Sequence, residues 1–516
     1  MNRDNQTDRI SSRPAKIWSS VLFAVLLPFG APSANAHTVS PVNPNATQST
    51  RDVVNWLAHL PNRLDNKVTS GFFGGYSAWT FSTTQLDALY TATGQYPGIF
   101  GADYGAGWAT ADDPTTLIDY SCNGTLETYW NNGGLVTISV HYPSPGYANG
   151  GNLNTHLSNF ADLLNPATDT GARWRAYLDK TAQGLAALQT AGVTVLWRPF
   201  HEMNGSWFWW GTQDANTFKN VWIDMYNYFT TTKGLNNLIW VYAPDFGPGS
   251  WTSYYPGAAY VDMVGLDVYD DNPGSSVTLA SAYNSMTGLG KTFAFTEIGP
   301  DTQGSFDYYK WANAFWQKFR KATYFYAWND GWAPQSNQNS WALMNDPWIV
   351  NRGEISLGSL TEPVNILYDF EGGSTQSWNK SNVTGGPWSV TEWWVSRGYT
   401  LKADVNLSAG NKTYILYRTA TQNLSGYADL KARVKHATWG YMGSGMAACL
   451  YIKTGSGWTW YNSTPVAINS SGATTLALSL AGVANLNNVR EIGVMYFAPA
   501  DASGSSSVYV DYVTAE

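Results

Sequence analysis

Val193-Thr194-Val195-Leu196 runs as an apolar, strand-like stretch straight into Trp197-Arg198-Pro199-Phe200-His201-Glu202-Met203-Asn204-Gly205-Ser206-Trp207-Phe208-Trp209-Trp210-Gly211. The second part sets a carboxylate between cations and aromatic rings just where the strand ends. Ring faces suit the C–H surfaces of pyranoses, and Arg198, His201 and Asn204 stand where they can orient Glu202 or hydrogen-bond hydroxyls. A strand that delivers chemistry at its C-terminal end is what parallel α/β folds provide.

Outward from that strand, seven more short β-branched or aromatic runs follow the same pattern. They are Val68 to Phe72, Gly98 to Ala102, Leu135 to Val140, Leu238 to Tyr242, Val261 to Leu266, Thr292 to Thr296 and Thr323 to Trp328. Helix-like segments lie between them: Thr84 to Thr93, Arg173 to Thr190, Asn216 to Thr232, Leu279 to Leu289 and Phe306 to Lys321. Eight strand-plus-helix units between Asp52 and Leu360 fit a (β/α)8 barrel. A doubly wound sheet would bring a Gly-rich phosphate turn after a strand, and the sequence has none.

In such a barrel the site is built from residues that follow the strands. These are Asp103, Tyr104 and Trp108; His141 and Tyr142; Arg198, His201 and Glu202; Asp245 and Phe246; Asp267 and Tyr269; Glu297; and Trp328, Asn329 and Asp330. Retaining cleavage of a glycosidic bond needs two carboxyl groups roughly 5 to 5.5 Å apart, one acid/base and one nucleophile. Glu202 follows the fourth strand. Glu297, in Phe293-Ala294-Phe295-Thr296-Glu297-Ile298-Gly299, follows the seventh, and the two strand ends can converge over the barrel axis. Taken alone, a glutamate at a strand end is more often a salt-bridge partner or a helix N-cap neighbour than a catalyst.

The run Arg198-Pro199-Phe200-His201-Glu202-Met203-Asn204-Gly205 with Trp207-Phe208-Trp209-Trp210-Gly211 resembles glycoside hydrolase family 26, from about Asp52 to Leu360. The resemblance implies a retaining endo-β-1,4-mannanase on a (β/α)8 barrel, with Glu202 as acid/base and Glu297 as nucleophile. It further implies that His201 orients the nucleophile and contacts the sugar, that Trp207 packs on the sugar, and that Tyr269 hydrogen-bonds the nucleophile. Trp328 resembles a platform at the end of strand eight, and His141 and Phe246 resemble subsite-lining residues. Trp108 either joins them or packs its own loop. Phe208, Trp209 and Trp210 cannot all face one small site, so some of them belong to the core. The same family also contains β-glucanases (lichenases) and β-1,3-xylanases. A polysaccharide-binding protein without turnover is the non-enzyme alternative. The chemistry requires no cofactor, and the six scattered His residues form no zinc motif.

After Leu360 the texture changes to short alternating runs separated by Gly, Ser and Asn, which reads as an all-β sandwich. Residues 361–366 read as a linker and 367–516 as the second domain, whose opening Leu367-Tyr368-Asp369-Phe370-Glu371-Gly372 and closing Val508-Tyr509-Val510-Asp511-Tyr512-Val513 could pair. These stretches resemble jelly-roll carbohydrate-binding modules. Trp378, Trp388, Trp393, Trp394, Trp439, Trp458 and Trp460 exceed what a small core needs, so some should form a sugar platform. The resemblance also implies a structural calcium, with Glu371 and Asp511 as candidate ligands; two solvated acids is the alternative.

Composition agrees with a neutral-polysaccharide partner. Of 516 residues, 13% are charged and 15% aromatic, and the net charge is -8. The lack of dense basic runs argues against nucleic acid and acidic membranes as partners, and a monomer is expected. Arg9, Arg13 and Lys16, the apolar Ile17 to Phe29 and Ala34-Asn35-Ala36 read as a secretory signal over 1–36, so a secreted protein is expected. Residues 37–51, rich in Asn, Pro, Ser and Thr, read as a tail, with folded structure from Asp52. Cys122 and Cys449 fall in different domains and should not pair.

Overall fold

The structure, a computed structural model, describes residues 39–63, 67–357, 365–371, 373–381, 383, 389–392 and 399–516. The expected signal segment, most of the linker and Trp388, Trp393 and Trp394 lie outside the described residues.

Eight parallel strands close into the barrel: β2 (Gly71–Tyr76), β3 (Ile99–Asp103), β4 (Leu135–Ser139), β5 (Val195–Arg198), β6 (Leu238–Tyr242), β7 (Met263–Tyr269), β8 (Thr292–Gly299) and β9 (Ala322–Ala327). Phe72 on β2 pairs with Ala327 on β9 and completes the circle. Two short strands, β1 (Val68–Thr69) and β10 (Ile349–Val350), extend the sheet below β9. Around it lie α2 (Thr84–Thr93), α3 (Asn123–Asn131), α4 (Asp169–Thr190), α5 (Ala215–Asn227), α6 (Val277–Thr287), α7 (Tyr309–Gln317) and α8 (Ser340–Met344). The candidate helix Asn216 to Thr232 is two elements, because after Asn227 the chain widens into a π turn over Tyr228–Thr232.

Side chains alternate across each strand. Val136, Ile138, Val195, Trp197, Trp240, Tyr242, Val264 and Leu266 pack outward among the helices, while Leu135, Leu196, Ile239, Val241 and Met263 fill the barrel. The first helix, α1 (Gln48–His59), inserts Val53, Val54, Trp56 and Leu57 into that inner cluster. It plugs the face opposite the site. The expected tail over 37–51 is therefore corrected: Thr47 caps α1, and the Val42 N–H donates to the Asp262 carboxylate at 2.6 Å. Composition misled there because some of the segment's polar residues, Asn43, Thr47 and Thr50, are buried or capping groups rather than solvated ones.

The second domain is a sandwich of two six-stranded sheets. Its strands are β11 (Asn365–Tyr368), β12 (Asn379–Ser381), β13 (Ser389–Glu392), β14 (Tyr399–Asn406), β15 (Thr413–Gln422), β16 (Asp429–His436), β17 (Met446–Thr454), β18 (Thr459–Asn462), β19 (Val466–Ile468), β20 (Thr474–Ser479), β21 (Val489–Phe497) and β22 (Ser505–Ala515). The opening and closing strands do pair, β11 antiparallel to β22. Asn365 and Ile366, expected in the linker, are already strand residues opposite Ala515 and Thr514. Cys122 and Cys449 are both buried and free.

Candidate active site

The upper layer of the barrel interior is polar. Arg198 ends β5, and its guanidinium crosses the axis, donating to the Asp267 carboxylate on β7 at 2.8 Å and to Glu297 Oε1 on β8 at 2.5 Å. Tyr269 Oη donates to the other Glu297 oxygen at 2.8 Å. All four side chains are buried or nearly so. Burial alone would lower the Arg198 pKa, but the adjoining charges of Asp267 and Glu297 raise it instead.

Glu297 reaches the axis through a break in alternation. Phe293 and Phe295 point outward and Ala294 inward, so Glu297 in regular register would face the helices. The β7–β8 register slips between Leu266 and Asp267, which pair with Phe295 and Glu297. The extra residue, Thr296, turns Glu297 inward opposite Asp267. Gly265 makes room, since a Cβ there would come within 2.3 Å of the Thr296 methyl.

Glu202 lies in the turn that follows β5. Phe200 and Glu202 both hold left-handed backbone, φ 50° and 56°, a conformation that costs energy in non-glycine residues. The Glu202 N–H donates to the Ala243 carbonyl at 2.7 Å and fixes the turn to the end of β6. Trp207 Nε1 donates to Glu202 Oε2 at 2.5 Å. Its ring folds over Gly205, where a Cβ would meet it at 2.3 Å.

Glu202, Asp267 and Glu297 each offer an oxygen, all within 4.8 Å of one another. Arg198 is the cation that joins two of them, Asp267 and Glu297. Burial raises the Glu202 pKa well above its ordinary value, and the charges of Glu297, Asp267 and Asp245 add to it; the Trp207 hydrogen bond opposes them. Burial, only partly offset by Arg198, also raises Asp267.

Against the sequence reading, three roles change. Arg198 and Asn204 do not hold Glu202: Arg198 serves Glu297, and Asn204 ties the loop by donating to the Asp245 and Gly249 carbonyls at 2.7 and 2.8 Å. His201 meets His141 rather than Glu297, with Nε2 to Nε2 at 3.2 Å. Burial, with Arg198 and His141 nearby, pushes its pKa well down, so it is neutral. His141 Nδ1 in turn bonds Asp103 at 2.8 Å, and Ser139 donates to the same carboxylate at 2.5 Å. Burial would raise Asp103, but His141 and Ser139 outweigh it and hold the carboxyl below its ordinary range.

The aromatic run divides as expected. Trp207 is 36% exposed, whereas Trp209 and Trp210 are fully buried and donate to the Tyr142 and His201 carbonyls. Phe208 stacks on Trp210 at 4.6 Å and lies edge-on to both His141 and His201. Trp328 is nearly buried and stacked on Phe73 at 3.7 Å. Phe246 is half-buried in the loop after β6, its N–H bonded to the Asp267 carbonyl. Trp108 is exposed, with Tyr76 edge-on at 4.7 Å and the exposed Trp79 at 6.0 Å. Tyr76 and Trp79 escaped the sequence reading because they belong to the first strand's end and loop, which carry no carboxylate or histidine. Asp103 and Asp267 were on the strand-end shortlist but without a role.

In the sandwich, Trp378 is core, packed against Tyr368 and Phe370; Trp439, Trp458 and Trp460 are exposed. Glu371 and Asp511 are poor calcium ligands as placed. Arg320 of the barrel lies 2.9 Å from Glu371, Arg433 lies 3.4 Å from Asp511, and the Tyr399 N–H donates to Glu371. Calcium takes six to eight oxygens, and in this arrangement each carboxylate meets a guanidinium group.

The chain matches Glycosyl hydrolase family 26 over residues 42–354 and "Mannanase, galactose-binding domain-like" over residues 368–512. Mannan endo-1,4-beta-mannosidase A and B of Caldalkalibacillus mannanilyticus is 46% identical across 98% of this chain and 99% of its own length. A mannan endo-1,4-beta-mannosidase of Bacillus subtilis is 47% identical, across 66% of this chain and 97% of its own. The solved Bacillus subtilis mannanase man26 superimposes with a TM-score of 0.60 at 48% identity, covering 63% of this chain and 99% of that one. By its barrel, and by a match that spans both domains, the chain belongs to glycosyl hydrolase family 26.

Proposed function

We propose that this chain is a secreted, monomeric, retaining endo-β-1,4-mannosidase acting on mannan, glucomannan or galactomannan, with its sandwich holding it on the polymer. The observation that carries the reading is the buried carboxyl pair, Glu202 and Glu297, within 4.8 Å. That spacing fits direct attack; an inverting pair stands about 6.5–9.5 Å apart to admit water. Glu297, aimed by Arg198 and Tyr269, attacks the anomeric carbon as the glycosidic C–O bond breaks. Glu202 gives its proton to the leaving oxygen, then as carboxylate takes one from the water that cleaves the glycosyl ester and frees Glu297. Charge on Glu297 raises the Glu202 pKa, and forming the ester removes that charge, which readies Glu202 to act as base. The chemistry needs no cofactor. His201, His141 and Asp103 form a buried hydrogen-bonded chain that links the ends of three neighbouring strands.

NMR of the first products from linear mannan tests this. The β-anomer is expected before mutarotation, and an initial α-anomer rules out the paired mechanism. Activity on β-glucan or β-1,3-xylan without activity on mannan would refute the substrate assignment.

Trp207→Phe removes the hydrogen bond that favours ionised Glu202 while keeping a ring. The Glu202 pKa then rises, so the acid stays protonated to higher pH. The alkaline limb of the kcat/KM profile should move upward, alongside a lower maximal rate. A limb that stays put or moves down would separate Trp207 from the acid's titration.

A further inference from the structure

Outside the barrel, the solvent face of the sheet β12-β15-β21-β17-β18 carries an arrangement that the catalytic reading does not use. Along β17, Leu450 and Ile452 face the core, so Tyr451 and Lys453 face outward. Trp460 on β18 pairs with Lys453, and Gly493 on β21 lies opposite both Tyr451 and Tyr417. The Tyr451 ring leans over Gly493, where a Cβ would meet it at 2.5 Å. Trp460 stacks on that ring with centroids 3.9 Å apart and planes within 10°. A glycine thus lets the tyrosine lie down, and the tyrosine props the tryptophan.

One face of Trp460 is covered by Tyr451, yet the residue is 39% exposed. Lys453 Nζ lies 5.1 Å from the Trp460 centroid and 5.8 Å from that of Tyr451, which places it beside the stack rather than over the outer face. Its charge is answered by Glu491 at 2.8 Å, and Glu491 also accepts from Tyr451 Oη at 2.8 Å. The surface is therefore an aromatic shelf flanked by a self-neutralised ion pair, of which Lys453 is partly exposed and Glu491 is buried beneath it. Neutral, flat and polar-rimmed, it complements an uncharged pyranose chain, whose C–H faces stack on rings while hydroxyls meet the rim.

We propose that the Trp460–Tyr451 shelf is the sandwich's binding site for the β-linked hexopyranose chain that the barrel cleaves, with the partly exposed Lys453 as a hydroxyl partner. This rests on the mannan reading above and assigns the anchoring to one face of the sandwich. Trp439 stands apart, in the loop after β16, a strand of the opposite sheet.

The test uses the full chain carrying Glu297→Ala, so that the polymer is not consumed. Trp460→Ala should lower retention on insoluble mannan about tenfold, as loss of a central aromatic anchor does. Trp460→Phe should recover most of it, and Trp439→Ala should retain it. Independently of folding in any variant, soluble mannan should shield Trp460 but not Trp439 from oxidation by N-bromosuccinimide, read by peptide mass. Equal oxidation of Trp460 with and without mannan, undiminished retention in Trp460→Ala, or a dimer through this face that does not bind mannan would overturn the proposal. Turnover of soluble mannan by the unaltered chain is a separate readout, whose absence would sink the mannanase reading instead.

Discussion

Glu297→Ala should lower mannan turnover by on the order of 10^4- to 10^6-fold, the scale on which removal of a covalent nucleophile acts. The fold should survive, because Arg198 keeps its 2.8 Å contact with Asp267 and the lost carboxylate leaves no cation unpaired. The chemical readout is sharper than the rate. The space left beside the anomeric carbon admits a small anion such as azide, which would attack from the face Glu297 now occupies and yield an α-glycosyl azide. Glu202→Ala should behave oppositely: azide would enter after the ester has formed and give the β-product. Steady-state rates near those of the unaltered protein in Glu297→Ala, or the same azide anomer from both variants, would show that the roles are wrongly assigned.

Arg198→Met should be the most damaging change to stability in the barrel. It leaves Asp267 and Glu297 as buried acids, both within 4.8 Å of Glu202, without the cation that joins them. Breaking a buried ion pair from one side costs about 3–5 kcal/mol. The pH dependence follows from the sign of the shift. Burial already raises the Asp267 pKa in the folded state and Arg198 opposes that rise, so without Arg198 it climbs further above its unfolded value, and the variant's stability is fully present only below the unfolded value and is lost as pH rises through the folded one. The deficit in melting temperature against the unaltered protein should therefore shrink towards pH 4 and widen towards pH 8. A deficit independent of pH would mean that Arg198 stabilises by packing alone.

Much of this architecture was written locally. Leu238–Tyr242 and Thr84–Thr93 coincide with their expected bounds, because each is a periodic apolar run closed by a turn signal; Gly94 ends α2 in the left-handed conformation that such a cap requires. The two glutamates were visible as acids at strand ends. What the sequence could not reveal depends on register and depth. A single extra residue at Thr296 decides whether Glu297 meets helices or the axis. The reach of Arg198 across the barrel depends on strand closure, so proximity in sequence suggested Glu202 as its partner while geometry gave Glu297 and Asp267. His201 and His141 were both found, but their contact joins two strands' loops that no local pattern relates. Trp378, one of the seven tryptophans among which a platform was expected, is core, since a tryptophan's identity says nothing about which way its strand faces.

The central claim is that Glu297 becomes covalently attached to the sugar while Glu202 handles protons. A 2-deoxy-2-fluoro-β-mannobiosyl substrate with a good leaving group slows release of the ester, and mass analysis of the digested protein locates it. The label is expected on the peptide containing Glu297, with Glu202→Ala still becoming labelled. A label on Glu202 or Asp267, or turnover to an α-anomer with no labelled peptide, would contradict the account.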